Sequence, residues 1–171
     1  MDFWIKNAAT LTKASKTYGV PEYIIVGIIG VETIYGKYMG DNTIFDVLTT
    51  LSFDYPRRSA EYQNFLEEYI ILAKENKMPL RSMKGSYAGA IGLPQFMPDS
   101  WRDYGVDFDG GGKVDLRNSV ADSIGSVANF LKQKGGWIPG QDVVYAAKFD
   151  TDTPKIKELL EKPIQPSLTI K

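Results

Sequence analysis

The stretch "PEYIIVGIIGVETIYG", residues 21 to 36, sets a single carboxylate, Glu32, near the end of a run that is otherwise aliphatic, glycine or aromatic. Pro21 and Glu22 make a favourable first helical turn: proline lacks only an N–H that would find no partner there, and an acid suits the positive end of the helix dipole. Ile24, Ile25, Val26, Ile28, Ile29 and Val31 leave no polar face, and a helix apolar all round must be buried nearly all round. Gly36 can close it. Gly27 and Gly30 cost helix propensity, with close approach of a neighbouring helix or a ligand as the compensating use. Glu32 then lies in the last turn of a buried helix, where the dipole's negative end and the apolar neighbours both favour the neutral acid. An acid that holds its proton suits general-acid catalysis of a poor leaving group. The ordinary alternative is a glutamate on the helix's one exposed edge, hydrogen-bonded or paired with Lys37.

Outward from this segment the chain stays mostly helical. Phe3, Trp4, Ala8, Leu11, Ala14 and Tyr18 recur at three- and four-residue steps, predicting an amphipathic helix that ends at Gly19. Further helices are expected at about 43 to 52, 58 to 76, 99 to 104, 119 to 134 and 154 to 161. Ser119 with Asp122 resembles a capping box, and Thr153-Pro154 reads as a cap and first turn. Residues 142 to 149, "DVVYAAKF", fit a short strand or a loop. The expected class is mainly α with little strand, in one domain or one lobe of a larger protein. The 171 residues and 43% hydrophobic content suffice for a real core.

The composition excludes several chemistries. Lys and Arg number 20 against 21 Asp and Glu, a net charge of −1 without long runs of one sign, so nothing favours nucleic acid or an anionic membrane. With no cysteine, disulfides, thiolate nucleophiles and zinc ribbons are excluded; with no histidine, so are Ser-His-Asp triads and His-bearing zinc sites. Proton transfer falls to Asp, Glu, Lys or Tyr. The N-terminal stretch lacks the apolar core of a signal peptide, and no apolar run reaches the roughly 18 residues of a membrane span.

A second stretch, "KGSYAGAIGLPQFMPDSW" at residues 84 to 101, gathers small residues before Gln95, Phe96 and Met97. Small residues let a backbone approach a ligand closely. Gln95 offers an amide that donates and accepts, and Tyr87 and Phe96 offer flat apolar faces to sugar rings. The plainer reading is a glycine-rich connection whose Pro98-Asp99 starts the next helix.

These stretches, with "TLSFDYPRR" and "DSIGSVANFLKQKGGW", resemble the catalytic domain of the membrane-bound lytic murein transglycosylase B family, glycoside hydrolase family 103, in order from about residue 3 to 166. The resemblance implies a lysozyme-like, mainly helical fold and cleavage of the β-1,4 bond between N-acetylmuramic acid and N-acetylglucosamine, leaving a 1,6-anhydromuramoyl end. It assigns the catalytic acid and base to Glu32, and the glycan cleft to Ser86, Gln95 and Phe96, beside which Tyr87 is the further substrate-binding candidate. It gives Arg57 and Arg58 muropeptide contacts, though both also fit surface charges pairing with Glu61 or Asp54. Asn129 and Phe130 lie on the same pattern, Phe130 where relatives often carry Tyr. The compartment implied is the periplasm or cell envelope, the partner peptidoglycan strands, and the state a monomer. A hydrolytic muramidase and a non-catalytic peptidoglycan-binding module are the alternatives.

No cofactor is required by this chemistry, but "DFDGGGKVDLRNSVAD", residues 107 to 122, is spaced like a calcium loop. Asp107, Asp109 and Asp115 fall at positions one, three and nine, and Gly112 at the sixth. Gly111 replaces the ligand expected at five and Asn118 the bidentate Glu expected at twelve; the resemblance implies closure of the loop by a later aspartate, here Asp122, unless that residue serves as a helix cap. Relatives carry an export signal and an extra helical segment before this region, and after it a segment with a Tyr-Asn pair. Neither lies within these residues, which fits a shortened or a minimal form, with Pro163 and Pro166 marking an extended tail.

Overall fold

A computed structural model describes residues 2–141 together with Glu158 and Glu161. Contacts divide the chain into Met1–Pro139 and Gly140–Lys171, and the elements named below lie in the first unit. The strand or loop expected at 142–149 and the proline-marked tail fall outside the described residues, as does the helix expected at 154–161 apart from Glu158 and Glu161.

Seven helices account for most of the first unit: α1 Asp2–Lys6, α2 Ala8–Tyr18, α3 Glu22–Thr33, α4 Ile44–Asp54, α5 Ser59–Glu75, α6 Pro98–Tyr104 and α7 Val120–Gln133. The N-terminal pattern expected as one helix is broken at Asn7, whose side-chain amide donates to Phe3 O at 2.8 Å and so competes with the helical ladder. Ser119 caps α7 as expected, its hydroxyl accepting from Asp122 N at 3.1 Å. Two-residue strands β1 Asn42–Thr43 and β2 Lys84–Gly85 pair antiparallel, Asn42 opposite Gly85.

Buried side chains form two clusters. In the first, Leu11 and Ala14 of α2, Ile25, Val26 and Ile29 of α3, and Ile124, Val127 and Ala128 of α7 meet Leu93 and Phe108. In the second, Ile44 and Leu48 of α4, Tyr62, Tyr69 and Leu72 of α5, and Trp101 of α6 meet Ile91, Phe96 and Leu116. The glycine-rich loop therefore runs along the seam: Leu93 enters one cluster while Ile91 and Phe96, two and three residues away, enter the other. Burial of apolar area on both sides holds the loop in place.

One expectation fails here. Helix α3 buries Ile25, Val26, Ile29 and Thr33, a stripe at helical spacing against α2 and α7, but Tyr23 is 57% and Val31 84% exposed, and Gly27 and Glu32 are exposed too. An apolar run counts the side chains that need cover, not the neighbours available to cover them. In the described residues two neighbouring helices cover one face only.

Candidate active site

The end of α3 is built by its own backbone. Ile34 and Tyr35 both adopt left-handed conformations, φ 49° and 58°, and Ile34 N–H bonds back to Gly30 O at 3.0 Å, so Ile34 caps the helix where Gly36 was expected to. Left-handed backbone is costly for a β-branched residue and persists only where the surroundings over-determine it. Thr33, 1% exposed, supplies that determination. Its hydroxyl shares its proton between Ile29 O at 3.2 Å and Leu93 O at 3.1 Å and accepts Gly36 N–H at 3.0 Å. Gly30 makes room for the returning chain, since a Cβ there would lie 2.8 Å from the Tyr35 hydroxyl; the same test at Gly27 meets open space, contrary to the close approach expected.

Glu32 stands next to this junction with its carboxylate exposed and, among the described residues, without a hydrogen bond or ion pair. The burial expected of it is therefore corrected, for the reason given for α3. The pairing with Lys37 is also not found; Lys37 Nζ instead lies 5.3 Å from the Tyr38 ring centre.

The glycine-rich loop follows the end of α3 through the Thr33–Leu93 bond. Two tight turns shape it, with Ser86 N donating to Ala90 O at 2.9 Å and Ile91 N to Phe96 O at 2.8 Å. Gly40 and Gly92, at φ 79° and 73°, cannot be replaced without collision: a Cβ would lie 2.1 Å from Gly85 O and 2.2 Å from Leu116 O respectively. The Ser86 hydroxyl accepts Ala90 N–H at 3.0 Å and Ala88 N–H at 3.3 Å, so its own proton is available to a ligand. Gln95 donates through Nε2 to Gly92 O at 2.9 Å and Met39 O at 3.4 Å, leaving its amide oxygen without a partner among the described residues. Tyr87, 83% exposed, walls a groove of about 330 Å³ with Asn42, Thr43, Asp46, Val47, Thr50 and Leu51, most of it one face of α4. A second groove of about 640 Å³ runs between α1 and Tyr35, whose ring stacks on Phe3 at 5.1 Å.

Other expected contacts are corrected. Phe96 is only 7% exposed and belongs to the second core cluster, so its ring offers no open face to a sugar; it packs on Phe130 at 5.2 Å, a half-buried ring at the edge of that cluster that also meets Tyr104 at 5.3 Å. Asn129 spends its amide N–H on Tyr104 O at 3.0 Å. Arg57 and Arg58 lie in a 3-10 turn, Pro56–Arg58, between α4 and α5. Arg58 follows the ordinary reading: it makes a two-pronged pair with Glu61 at 2.6 and 2.7 Å, which holds the Glu61 carboxyl below the usual range. Arg57 is exposed, with no partner among the described residues.

Across the loop before α7 and the first turn of that helix, carboxylate oxygens of Asp107, Asp109 and Asp122 lie within 4.8 Å of one another. Asp115 is not among them, contrary to the sequence spacing. Its Oδ1 is turned back onto its own segment, accepting Arg117 N at 3.1 Å and Asn118 N at 2.9 Å. Burial pushes its pKa up, but the Asn118 side chain and these amides outweigh that and the net direction is down. Asp109 is also held down, first by the Ser119 hydroxyl at 2.6 Å and then by Gly111 N–H. Calcium takes six to eight oxygens, and each carboxylate oxygen that accepts one N–H keeps a second lone pair. Asp107, Asp109 and Asp122 thus supply a compatible but incomplete ligand set.

Two contributors were missed in the sequence. Thr33 reads there as the residue after a candidate acid, and only the position of Leu93 reveals its bond. The α4 groove carries no motif, although Thr43, Val47 and Thr50 at steps of four and three mark one face.

A family model described as "Transglycosylase SLT domain" matches residues 1–168. The membrane-bound lytic murein transglycosylase B of Escherichia coli strain K12 is 47% identical over 145 residues, 85% of this chain and 40% of that protein. The soluble lytic transglycosylase SltB1 of Pseudomonas aeruginosa superposes with a TM-score of 0.81 at 50% identity, over 83% of this chain and 48% of that one. The Escherichia coli lytic transglycosylase Slt35, solved in complex with calcium, superposes with a TM-score of 0.79 at 47% identity, over 82% of this chain and 45% of that one. The chain spans less than half the length of each. The shared fold is the mainly helical, lysozyme-like one.

Proposed function

The chain belongs to the transglycosylase SLT domain family, and from that membership we propose that it is a lytic transglycosylase cleaving the β-1,4 bond between N-acetylmuramic acid and N-acetylglucosamine in peptidoglycan. One observation carries the assignment to a site: Thr33 joins the helix end bearing Glu32, a carboxylate without a partner among the described residues, to the loop bearing Ser86 and Gln95. A carboxylate not used by the fold is free for chemistry.

In this reading the Glu32 carboxylic acid gives its proton to the glycosidic oxygen as the bond to the anomeric carbon breaks, the electron pair leaving with that oxygen. The substrate's N-acetyl carbonyl stabilises the positive charge on the anomeric carbon, so no protein nucleophile is needed. The Glu32 carboxylate then takes the proton of the muramoyl C6 hydroxyl, whose oxygen attacks the same carbon and closes the anhydro ring. Tethering gives that hydroxyl an effective concentration water does not match. Glu32 is open to solvent in the described residues, and a glycan bound over it would exclude water from the reacting bond. Ser86 donates to the strand through its free hydroxyl proton, the Gln95 amide oxygen accepts from it, Tyr87 stacks on a ring, and Arg57 reaches acidic groups of the peptide stem.

Calcium bound by Asp107, Asp109 and Asp122 would neutralise three clustered carboxylates and stiffen the loop; the calcium complex of Slt35 supports this. Titration calorimetry with the metal alone should give heat that Asp109→Asn removes and Asp115→Asn does not. The reading also puts the chain to work in the periplasm or cell envelope. Among the described residues no helix is long and apolar enough to cross a membrane.

The test is digestion of purified murein by the wild-type chain and by Glu32→Gln, with mass spectrometry of the released muropeptides. Anhydro ends are expected from the first and none from the second. Products heavier by one water would make the chain a hydrolytic muramidase, and binding without release a glycan-binding module.

A further inference from the structure

The segment 115–117 touches both ends of the glycine-rich loop. At one end Leu116 O accepts Leu93 N–H at 2.9 Å, and Gly92 comes so near that a Cβ there would collide with the same carbonyl. At the other, Arg117 Nη1 donates to Lys84 O at 2.8 Å and to Gly40 O at 3.3 Å. One guanidinium thus bonds the strand β2 that leads into Ser86 and the turn that precedes β1. The side chain is only 23% exposed, and its nearest acid, the exposed Asp41, lies 3.9 Å from Nη2. The guanidinium is therefore committed to backbone.

The base of this bridge is rigid. Leu116 is fully buried and its carbonyl also accepts the Ser123 hydroxyl at 3.0 Å, while Asp115 N donates to the buried Asp122 carboxylate at 2.8 Å. What it holds is weak by itself. A two-residue ladder is too short to be stable alone; beside it Ile44 N donates to Met83 O at 3.1 Å and Lys84 Nζ to Thr43 Oγ1 at 2.7 Å. A lysine in place of Arg117 has no planar fork with which to hold two carbonyls in fixed geometry.

We infer that Arg117 is a positioning residue for glycan cleavage: with Leu116 it clamps the stem of the 84–93 loop and so sets Ser86 relative to Glu32. This rests on the function proposed above. Misplacement of a binding group by about 1 Å can cost on the order of a hundredfold in rate, so a loosened stem should appear in turnover.

The test compares the full wild-type chain with Arg117→Lys and Arg117→Ala on soluble peptidoglycan strands, together with native-state hydrogen exchange and circular dichroism. Arg117→Ala should lower kcat by about tenfold or more while KM changes by less than about threefold, and Arg117→Lys should recover part of the loss. The amides of Ser86 and Ala90 should exchange about tenfold faster in Arg117→Ala, with α2 unchanged. A merely structural arginine would lower the melting temperature and leave kcat in the folded protein alone. That result, or unchanged exchange at Ser86 and Ala90, overturns the inference. If Arg117→Ala does not fold, Arg117→Lys carries the same readouts. Absence of turnover in the wild type would instead sink the proposed function, and the exchange arm would still decide the clamp.

Discussion

Glu32 and Asp122 are both carboxylates on helices of the same core, and their surroundings are opposite. Asp122 lies in the first turn of α7, 1% exposed, and accepts Phe108 N at 2.8 Å, Asp109 N at 3.3 Å and Asp115 N at 2.8 Å. Glu32 lies in the last turn of α3, exposed, with no partner among the described residues. The helix dipole favours the first and disfavours the second. A buried carboxylate is tolerable only when donors replace its water, and at Asp122 backbone amides do so. The lesson is that the fold spends one acid on its own architecture and leaves the other for a ligand.

The largest effect that would break this contrast is on rate. Glu32→Gln should lower turnover by about a thousandfold or more, within the reach of acid–base catalysis, while the melting temperature moves by less than about 1 °C because the side chain holds nothing in place. A fall in stability matching the fall in rate would make Glu32 structural. Next comes Asp122→Ala, which strands three loop amides and should destabilise by about 3 kcal/mol in urea unfolding, while turnover of the remaining folded fraction falls far less than in Glu32→Gln. Smaller again is Thr33→Val: it is nearly isosteric but deletes the donor to Leu93 O and the acceptor of Gly36 N–H. About 1.5 kcal/mol of stability should go, and kcat should fall with it, since the residue beside Glu32 loses its tie to the loop. Unchanged kcat would separate the two halves of the site.

How much of this the chain's order of residues disclosed varies by element. The helices follow from apolar spacing and from caps such as Ser119, because those signals are local. Burial does not follow: the aliphatic run of α3 implied cover on all sides, and Val31 at 84% exposure shows cover on one. Phe96 was misread for the same physical reason, since whether a ring faces the core depends on residues far away in sequence; Asp115 was misread for a local one, its carboxylate being taken by the Arg117 and Asn118 amides two and three positions on. Thr33 and Arg117 act through Leu93 O and Lys84 O, partners 60 and 33 positions distant, which periodicity and motifs do not register.

The central claim is that the Glu32 carboxyl gives its proton to the leaving oxygen and regains one from the tethered hydroxyl, so that no water enters the product. Digestion of murein in water enriched in oxygen-18 tests it most directly. The account predicts soluble muropeptides with anhydro ends and no incorporated label; an oxygen-18 atom at the newly formed muramoyl end would contradict it.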